Sequence, residues 1–448
     1  MYKNAEKLIP ALEAETERFY KLLDNSRRID NEFAVPPKGQ EDAPLTEEEI
    51  AEIDAFWGKY KFAYPNIDYQ SFQTFKNRCG KFSVYHCPGA IRTRFFAKHF
   101  VNPNYEIPFQ NKAMLELLYP DIHKPRTLVR RMNGIYYDEQ YAPISLDQAV
   151  KICCDFVKNE GNMLIKPSGA ASSGGHGIIF LNKFNANPLF VKNAFLSKMG
   201  AGVFVVQQQM VQSEFMSRLN ASSVNTIRIT SILHKGEVRP LAALIRVGKA
   251  GNGVDAYYAG GCIVGIDIET GKCNPWALAS DHSRITVLPS GVDLAAQELV
   301  VPNFEQVKAD IIRSHYRCPY VKMISWDIAL DENNVPTMLE CNFAGMMQLH
   351  EAVSGPLFGD LMEELLDEYL LERFFLRFAT EDFICREFHD RVVVEEYIGA
   401  SGDVSVPETL RGKPVTKILP QAFKGCTVKK FSAPVSVMKN SPAAMKTI

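Results

Sequence analysis

Between residues 161 and 342 the chain is cut into short apolar, β-branched runs, NMLIKP, GIIFLN, GVFVVQQQM, NTIRITSILH, VRPLAALIRVG, CIVGIDI, MISWDIAL and PTMLECN, separated by glycine, asparagine and proline. Short runs with that punctuation read as strands. A mostly antiparallel sheet with interspersed helices, an α+β architecture, is the expectation. Helices are expected around it at 145–159, opened by Ser145 with Gln148 in the capping-box position, at 303–317, and at 356–377. In the last of these Leu357, Leu361, Leu365, Leu366 and Leu370 form a stripe of the kind that faces a core.

Residues 1–60 read as a helical region. Leu8, Leu12, Phe19, Leu22 and Leu23 recur at helical spacing, and Thr46 with Glu49 forms a second capping box between Leu45 and Ile50 at staple positions. The acidic, proline-bearing AVPPKGQEDAP links the two helices. Residues 61–144 are rich in aromatic and turn residues, with a short helix, a strand and a tight Asn133-Gly134 turn expected near their end.

A length of 448 residues predicts two or three domains. With 46% hydrophobic and 23% charged residues and a net charge of -2, the composition excludes a disordered chain and argues against a nucleic-acid binder, which needs a cationic excess. Ten cysteines without a C-x-x-C pair favour free thiols in a reducing compartment over a disulfide framework or a zinc site. The first twenty residues lack the apolar core of a signal peptide, and no later run approaches 18 uninterrupted apolar residues, so a cytoplasmic protein without a transmembrane segment is expected.

Chemistry concentrates in three segments. Lys166-Pro-Ser-Gly-Ala-Ala-Ser-Ser-Gly-Gly-His-Gly177 lies between two apolar strands, a flexible turn whose backbone N–H groups can close over phosphate oxygens beside a lysine charge. Alone it is equally a mobile hairpin. Neither a P-loop, a Rossmann fingerprint nor the protein-kinase set is present. The second segment is a hairpin with its turn at Asp331–Asn334 and with Asp327, Glu340 and Asn342 as polar groups on otherwise apolar strands. Glu340 and Asn342 share a face, and an antiparallel partner can bring Asp327 beside them, an oxygen-donor set suited to Mg²⁺. Third, the strand from Gly202 ends in Gln207, Gln208, Gln209 and Met210, followed by Glu214. There Met210 could pack on a purine, an amide or backbone group at Gln207 to Gln209 could read its edge, and Glu214 could accept ribose hydroxyls. A glutamine run is otherwise an ordinary surface strand end.

Together these segments resemble the ATP-grasp superfamily and, within it, the sugar-transfer associated ATP-grasp proteins, over residues 60–372. The resemblance implies two α+β lobes clasping ATP. Lys166 and the earlier Lys112 would contact phosphates, and Ser173, Gly174, Gly175, His176 and Gly177 would form the lid. Gln207, Gln209, Met210 and Glu214 would hold the nucleoside, with Gln207 departing from the glutamate often found there. Asp327, Glu340 and Asn342 would bind Mg²⁺, and Arg228 and Arg246 would face the transferred phosphoryl group as the catalytic cations. Asn225 and the loop GNGVDAYYAGG, through Asp255, Tyr257, Gly260 and Gly261, would meet the acceptor.

The activity implied is an ATP-dependent ligase that activates a carboxylate as an acyl phosphate for attack by an amine or other nucleophile, on small-molecule or sugar-linked substrates of cell-surface polysaccharide or sugar-conjugate synthesis. The alternatives are a phosphotransferase acting on a hydroxyl and a non-catalytic nucleotide-binding partner of a glycosyltransferase system.

From Arg391 onward there are 9 Lys plus Arg against 4 Asp plus Glu. This tail resembles the opening of a bacterial surface-type leucine-rich repeat, with Ala422-Phe423-Lys-Gly-Cys426 its most diagnostic part, and it would either cap the body or bind a protein partner. The expected divisions are a helical region at 1–60, an N-terminal ATP-grasp lobe at 61–160, a central lobe with the lid at 161–212, a C-terminal lobe with the metal site at 213–390, and the tail at 391–448.

Overall fold

The computed structural model describes residues 33–446 apart from 62, 63, 65, 93–95, 97–99, 101, 102, 169–176, 200, 201, 344, 345, 372–374, 389 and 401. The helix expected around Leu8 to Leu23 lies outside the described residues. The chain divides into two compact units, one of residues up to 50 and 68–359, the other of 51–67 and 360–448.

The first unit contains two antiparallel sheets, as the strand-rich pattern predicts. Strands β1 (Thr127–Met132), β2 (Ile135–Tyr137), β3 (Pro143–Ile144), β4 (Met163–Ser168), β5 (Ile179–Leu181) and β6 (Val203–Gln208) form one sheet in the order β3-β2-β1-β6-β4-β5. Asn133 and Gly134 join β1 to β2 with φ of 48° and 85°, the left-handed pair a two-residue hairpin turn requires. The helix Leu146–Asn159 starts at Ser145, whose side chain accepts from Gln148 N while Gln148 reaches back, so the foreseen capping box forms. Val150, Cys153 and Phe156 of that helix pack on Ile165, Phe204 and Val206.

Strands β7 (Thr226–His234), β8 (Glu237–Val247), β9 (Cys262–Ile266), β10 (Cys273–Ala279), β11 (Arg284–Ile285), β12 (Met323–Leu330) and β13 (Pro336–Asn342) form the other sheet in the order β11-β10-β9-β8-β7-β12-β13. The late hairpin β12–β13 adds beside β7 rather than at the β11 end, so residues nearly a hundred apart become cross-strand neighbours. One face carries Ile227, Ile229, Ile245, Val264 and Trp326 against Val307 and Ile311 of the helix Phe304–His315. Alternation puts Arg228, Arg246 and Asp327 on the opposite face, beside Leu244 and Ile263, which pack in a second apolar cluster with Leu349 and Val353.

The single helix expected over 356–377 is not formed. Gly359 at φ 48° ends the preceding turn, the α-helix runs only over Leu361–Leu366, a π-helical turn follows at Asp367–Leu371, and the chain enters β14 (Leu376–Ala379). Leucine spacing marked the buried face, but the turn-forming Gly355, Pro356 and Gly359 set the helix start.

In the second unit β14 joins β15 (Phe383–Glu387), β16 (Val392–Tyr397), β19 (Lys413–Ile418) and β18 (Thr409–Leu410) in the order β14-β15-β16-β19-β18, while β17 (Asp403–Ser405) pairs with β20 (Lys430–Ser432). Both β16–β19 and β17–β20 are parallel. Ala422 and Phe423 are buried in its core with Val394, Val404 and Ile418. Among the described residues no helix is long and apolar enough to cross a membrane.

Candidate functional site

Strand register assembles the charged residues. Asp327 lies opposite Glu340 on β13 and opposite Arg228 on β7, and Arg246 on β8 lies opposite Thr226. All point from the face away from the Trp326 core. Arg228 grips Asp327 with two parallel bonds, Nε to Oδ1 at 2.7 Å and Nη2 to Oδ2 at 2.6 Å, and Arg246 Nη1 reaches Oδ2 at 3.2 Å. Arg246 Nη2 also pairs with Asp255 Oδ1 at 3.2 Å, and Asp255 accepts from the Thr226 hydroxyl. The Asn342 amide lies 3.4 Å from Asp327 Oδ2 and 3.5 Å from Glu340 Oε1, so the three oxygen-bearing groups of the hairpin converge.

Two lysines complete the cluster. Lys112 Nζ pairs with Glu340 Oε2 at 2.8 Å, while its backbone N–H donates to Ser168 Oγ at 2.9 Å, tying this residue to the end of β4 where the glycine-rich segment starts. Lys166, two residues before Ser168 on β4, is half-buried. Four cations and three carboxylates therefore share one patch, with one positive charge in excess.

Burial would raise Asp327, but Arg228 and Arg246 outweigh it and hold the carboxyl down at about 2. Asp255 is raised by burial, with Asp327 adding repulsion and Arg246 opposing. Burial, with Lys112 alongside, pushes Lys166 down to about 8 against the pull of Glu340 and Asp255. A bound polyphosphate would restore the charged form. Binding of a polyphosphate beside Lys166 above pH 8 is therefore expected to take up close to one proton, and affinity for it is expected to fall as pH rises through 8. Calorimetric titration in buffers of different ionisation enthalpy measures the uptake, which Lys166→Arg should abolish.

Gln207, Gln209, Met210 and Glu214 stand in different surroundings. Gln207 is buried and donates from Nε2 to Thr127 Oγ1 at 3.0 Å, which leaves its amide oxygen as an acceptor. Gln209 is tied by its backbone N–H to Asn162 O, and Met210 is half-buried. Glu214 is exposed as the first residue of the helix Glu214–Leu219, capped by Ser213.

Asn225 is enclosed and fully engaged. Its Nδ2 donates to Met216 O and Asn220 O, both at 2.8 Å, and its Oδ1 accepts from Ser223 Oγ and Gly248 N. It holds the base of the 249–260 loop rather than offering its amide to an acceptor. Gly248 and Gly261 close that base: a Cβ on Gly248 would sit 2.4 Å from Ser223 Oγ, and one on Gly261 would sit 2.6 Å from Val247 O. Gly260 takes φ 92°, and Tyr257 is buried with its hydroxyl on Ala279 O and His282 Nδ1. Tyr258, half-exposed, is the aromatic this loop turns outward.

Ser173, Gly174, Gly175 and His176 lie outside the described residues. Gly177 is described, at φ 77°, with Pro167 Cγ 3.3 Å from where a Cβ would stand. Thr226, Ser168 and the Asn220–Ser223 pair support the site but were not singled out in the sequence, because each acts through hydrogen bonds to residues distant along the chain. Among the described residues no group of three or more His, Cys, Asp and Glu side chains is placed to hold a metal.

The model of the sugar-transfer associated ATP-grasp family matches residues 99–361, more than half of the chain. The chain belongs to this family. The two antiparallel sheets are those of an ATP-grasp fold, and every charged residue of the cluster lies within the matched span. No curated protein matches this ATP-grasp chain. Among solved structures it is similar to the ATP-grasp ligase PsnB complexed with a minimal precursor, at 14% identity and TM-score 0.33, covering 60% of this chain and 63% of that one. D-alanyl-alanine synthetase A from Vibrio cholerae matches at 12% identity and TM-score 0.34, covering 59% and 65%. Biotin carboxylase from Campylobacter jejuni matches at 12% and 0.36, covering 62% and 50%. The chain thus spans about three fifths of the length of the first two of these and half of the third. At such scores none of them assigns a role to a residue of this chain.

Proposed function

We propose that this protein is an ATP- and Mg²⁺-dependent ligase that phosphorylates a substrate carboxylate and passes the acyl group to an amine or another nucleophile, on a sugar-linked or small-molecule substrate. The observation that carries the reading is the cluster of Arg228, Arg246, Asp327, Glu340 and Asn342 on one face of the seven-stranded sheet, joined by ion pairs to Asp255 and Lys112, with Lys166 of the six-stranded sheet interacting electrostatically with Glu340 and Asp255. Phosphoryl transfer asks for little covalent chemistry from side chains; it asks for fixed cations around the phosphates and a site closed to water.

The donor set fits magnesium. Asp327, Glu340 and Asn342 supply hard oxygens within one patch, and two neighbouring carboxylates favour a divalent cation between them. Bound there with ATP, magnesium would neutralise charge on the phosphate oxygens. Lys166 and Lys112 hold the phosphates, Arg228 and Arg246 face the transferred group, and Gln207, Gln209, Met210 and Glu214 line the nucleoside end. Ser173, Gly174, Gly175, His176 and Gly177 are the candidates for the lid that would keep water from the acyl phosphate. Asp255 and the loop around it position the acceptor.

Trapping tests this directly. The protein, ATP, magnesium and pooled carboxylic acids with hydroxylamine are expected to yield hydroxamate and ADP, with turnover reduced at least a hundredfold in Glu340→Ala, on the order expected for loss of a charge-stabilising group. A phosphorylated product without hydroxamate would instead mark a phosphotransferase. Absence of magnesium-dependent ATP binding would remove the ATP reading altogether, and binding that Glu340→Ala leaves unchanged would remove Glu340 from the metal site.

For the second unit we infer a leucine-rich-repeat-like stack. Parallel partners such as Val392 and Val415, or Asp403 and Lys430, stand about one repeat of 20–29 residues apart, as stacked turns require. Such a stack serves a protein partner.

A further inference from the structure

The outer edge of the six-stranded sheet carries an apolar surface that nucleotide chemistry does not use. β5 is the edge strand, and the loop after it is held rigid by its own asparagines. Asn182 Oδ1 accepts from Phe184 N at 2.9 Å, Asn185 Oδ1 from Asn182 N at 2.8 Å, and Asn187 Oδ1 from Phe190 N at 3.0 Å. Asn185 Nδ2 donates to Phe180 O at 2.9 Å. This scaffold presents Phe184 at 86% exposure.

The helix Pro188–Asn193 and the turn Ala194–Lys198 follow. Their inner side, Val191, Ala194 and Phe195, belongs to the core. Their outer side also shows large apolar side chains, Leu189 70% and Leu196 54% exposed beside Phe190, between Lys192 and the exposed Asn193 and Ser197. Large apolar side chains turned outward among polar ones are the composition of a face that meets an apolar medium with a polar boundary.

Charge selects that medium. From 161 to 213 the sequence contains no Asp or Glu, and its charges are Lys166, Lys183, Lys192 and Lys198. Arg, Tyr and Trp, the residues that anchor protein interfaces, are also missing from this stretch, whereas lysine, which such interfaces avoid, is its only ordinary cation. Lys183 Nζ stands 5.2 Å from the centre of the Phe184 ring. Lys192 makes one ion pair with Asp147 at 2.9 Å, but both side chains are solvent-exposed, and an exposed pair constrains a lysine weakly. Phenylalanine and leucine at the acyl boundary with lysines among anionic headgroups is the pattern of a protein lying on a bilayer.

We propose that this edge docks the protein peripherally on an anionic phospholipid bilayer, with Phe184, Leu189 and Leu196 entering the interface and Lys183 and Lys192 meeting the headgroups. None of these residues belongs to the charged cluster, so the test is independent of the ligase reading.

Full-length protein is sedimented with vesicles of phosphatidylcholine containing phosphatidylserine, and with phosphatidylcholine alone. Expected are pelleting with the anionic vesicles only, loss of it at high salt, and a partition coefficient lowered at least about tenfold by Phe184→Ser/Leu189→Ser/Leu196→Ser, with similar loss in Lys183→Glu. Thermal melting checks that the variants fold, and the single charge reversal on an exposed lysine keeps the test valid if the triple variant does not. Protein that stays in solution with anionic vesicles overturns the proposal, as does pelleting that neither variant weakens. A dimer of the parent that the triple variant converts to monomer assigns the surface to a second copy instead.

Discussion

Replacing Asp327 by alanine is expected to abolish magnesium-dependent ATP turnover and to lower the stability of the first unit by about 3–5 kcal/mol, the usual cost of stripping one partner from a buried ion pair. The carboxylate is 2% exposed, and the arginines it holds retain only 10% and 12% of their side-chain surface. Without it Arg228 loses both of its bonds to β12, and Arg246 keeps its pair with Asp255. Urea unfolding at neutral pH measures the loss as a lower midpoint. Asp327→Asn preserves shape but not charge and should fall between the two. Adding Arg228→Met to Asp327→Ala should recover part of the stability, since it removes a stranded cation, but none of the turnover. The pH dependence carries the same signature. Asp327 titrates at about 2 in the fold against about 3.9 in an unfolded chain, so its contribution is complete above pH 4 and disappears as pH falls towards 2. Asp327→Ala should lack that part of the acid-induced loss, and a wild-type midpoint for the variant would contradict the ion-pair account.

How much of this was legible in the sequence depends on distance along the chain. Local rules succeeded where the partners are neighbours: Thr46 Oγ1 accepts from Glu49 N and Glu49 returns a bond to Thr46 N, Ser145 and Gln148 do the same, and Asn133-Gly134 turns β1 into β2. The Asp327 to Asn342 hairpin was readable for the same reason, since its turn and two-residue alternation fix which side chains share a face. The grip of Arg228 on Asp327 was not. It depends on β12 choosing β7 as its neighbour, and nothing in either segment specifies that choice without the rest of the sheet. The same limit hid the Asn220–Ser223–Asn225 support of the 249–260 loop, whose bonds reach Gln212 on one side and Gly248 on the other. It also turned Asn225, singled out by motif, into a residue enclosed by backbone carbonyls. Leucine spacing over 356–377 failed differently: periodicity reports a buried face, and β-turn residues decide where a helix starts.

Another large effect is expected at a residue with no side chain. A Cβ on Gly265 would stand 2.3 Å from the carbonyl oxygen of Val353 and 2.5 Å from Asn274 Nδ2, which itself donates to that carbonyl at 2.6 Å. Here the last turn of the helix Met347–Ser354 lies directly on β9, with Ser354 Oγ also bonded to Ala243 O at 3.0 Å on β8. The obstacle is backbone, not a side chain that can swing away. Gly265→Ala must therefore lift the helix or break the Asn274 bond, and a loss of about 3 kcal/mol is expected, at the upper end for overpacking. Lifting the helix also draws on His350, whose Nε2 lies 3.0 Å from Thr230 Oγ1, which in turn bonds Ser325 Oγ at 2.7 Å, two residues before Asp327 on the same strand face. Turnover should fall with stability even though Gly265 touches no charged residue of the site. Gly253→Ala is the control: its Cβ would meet only the Phe180 ring, at 3.4 and 3.5 Å, an ordinary contact, and a change within about 0.5 kcal/mol is expected. Equal unfolding midpoints for the two variants would mean that β9 and the helix are not in the close contact described, and the route from that helix to Asp327 would lose its support.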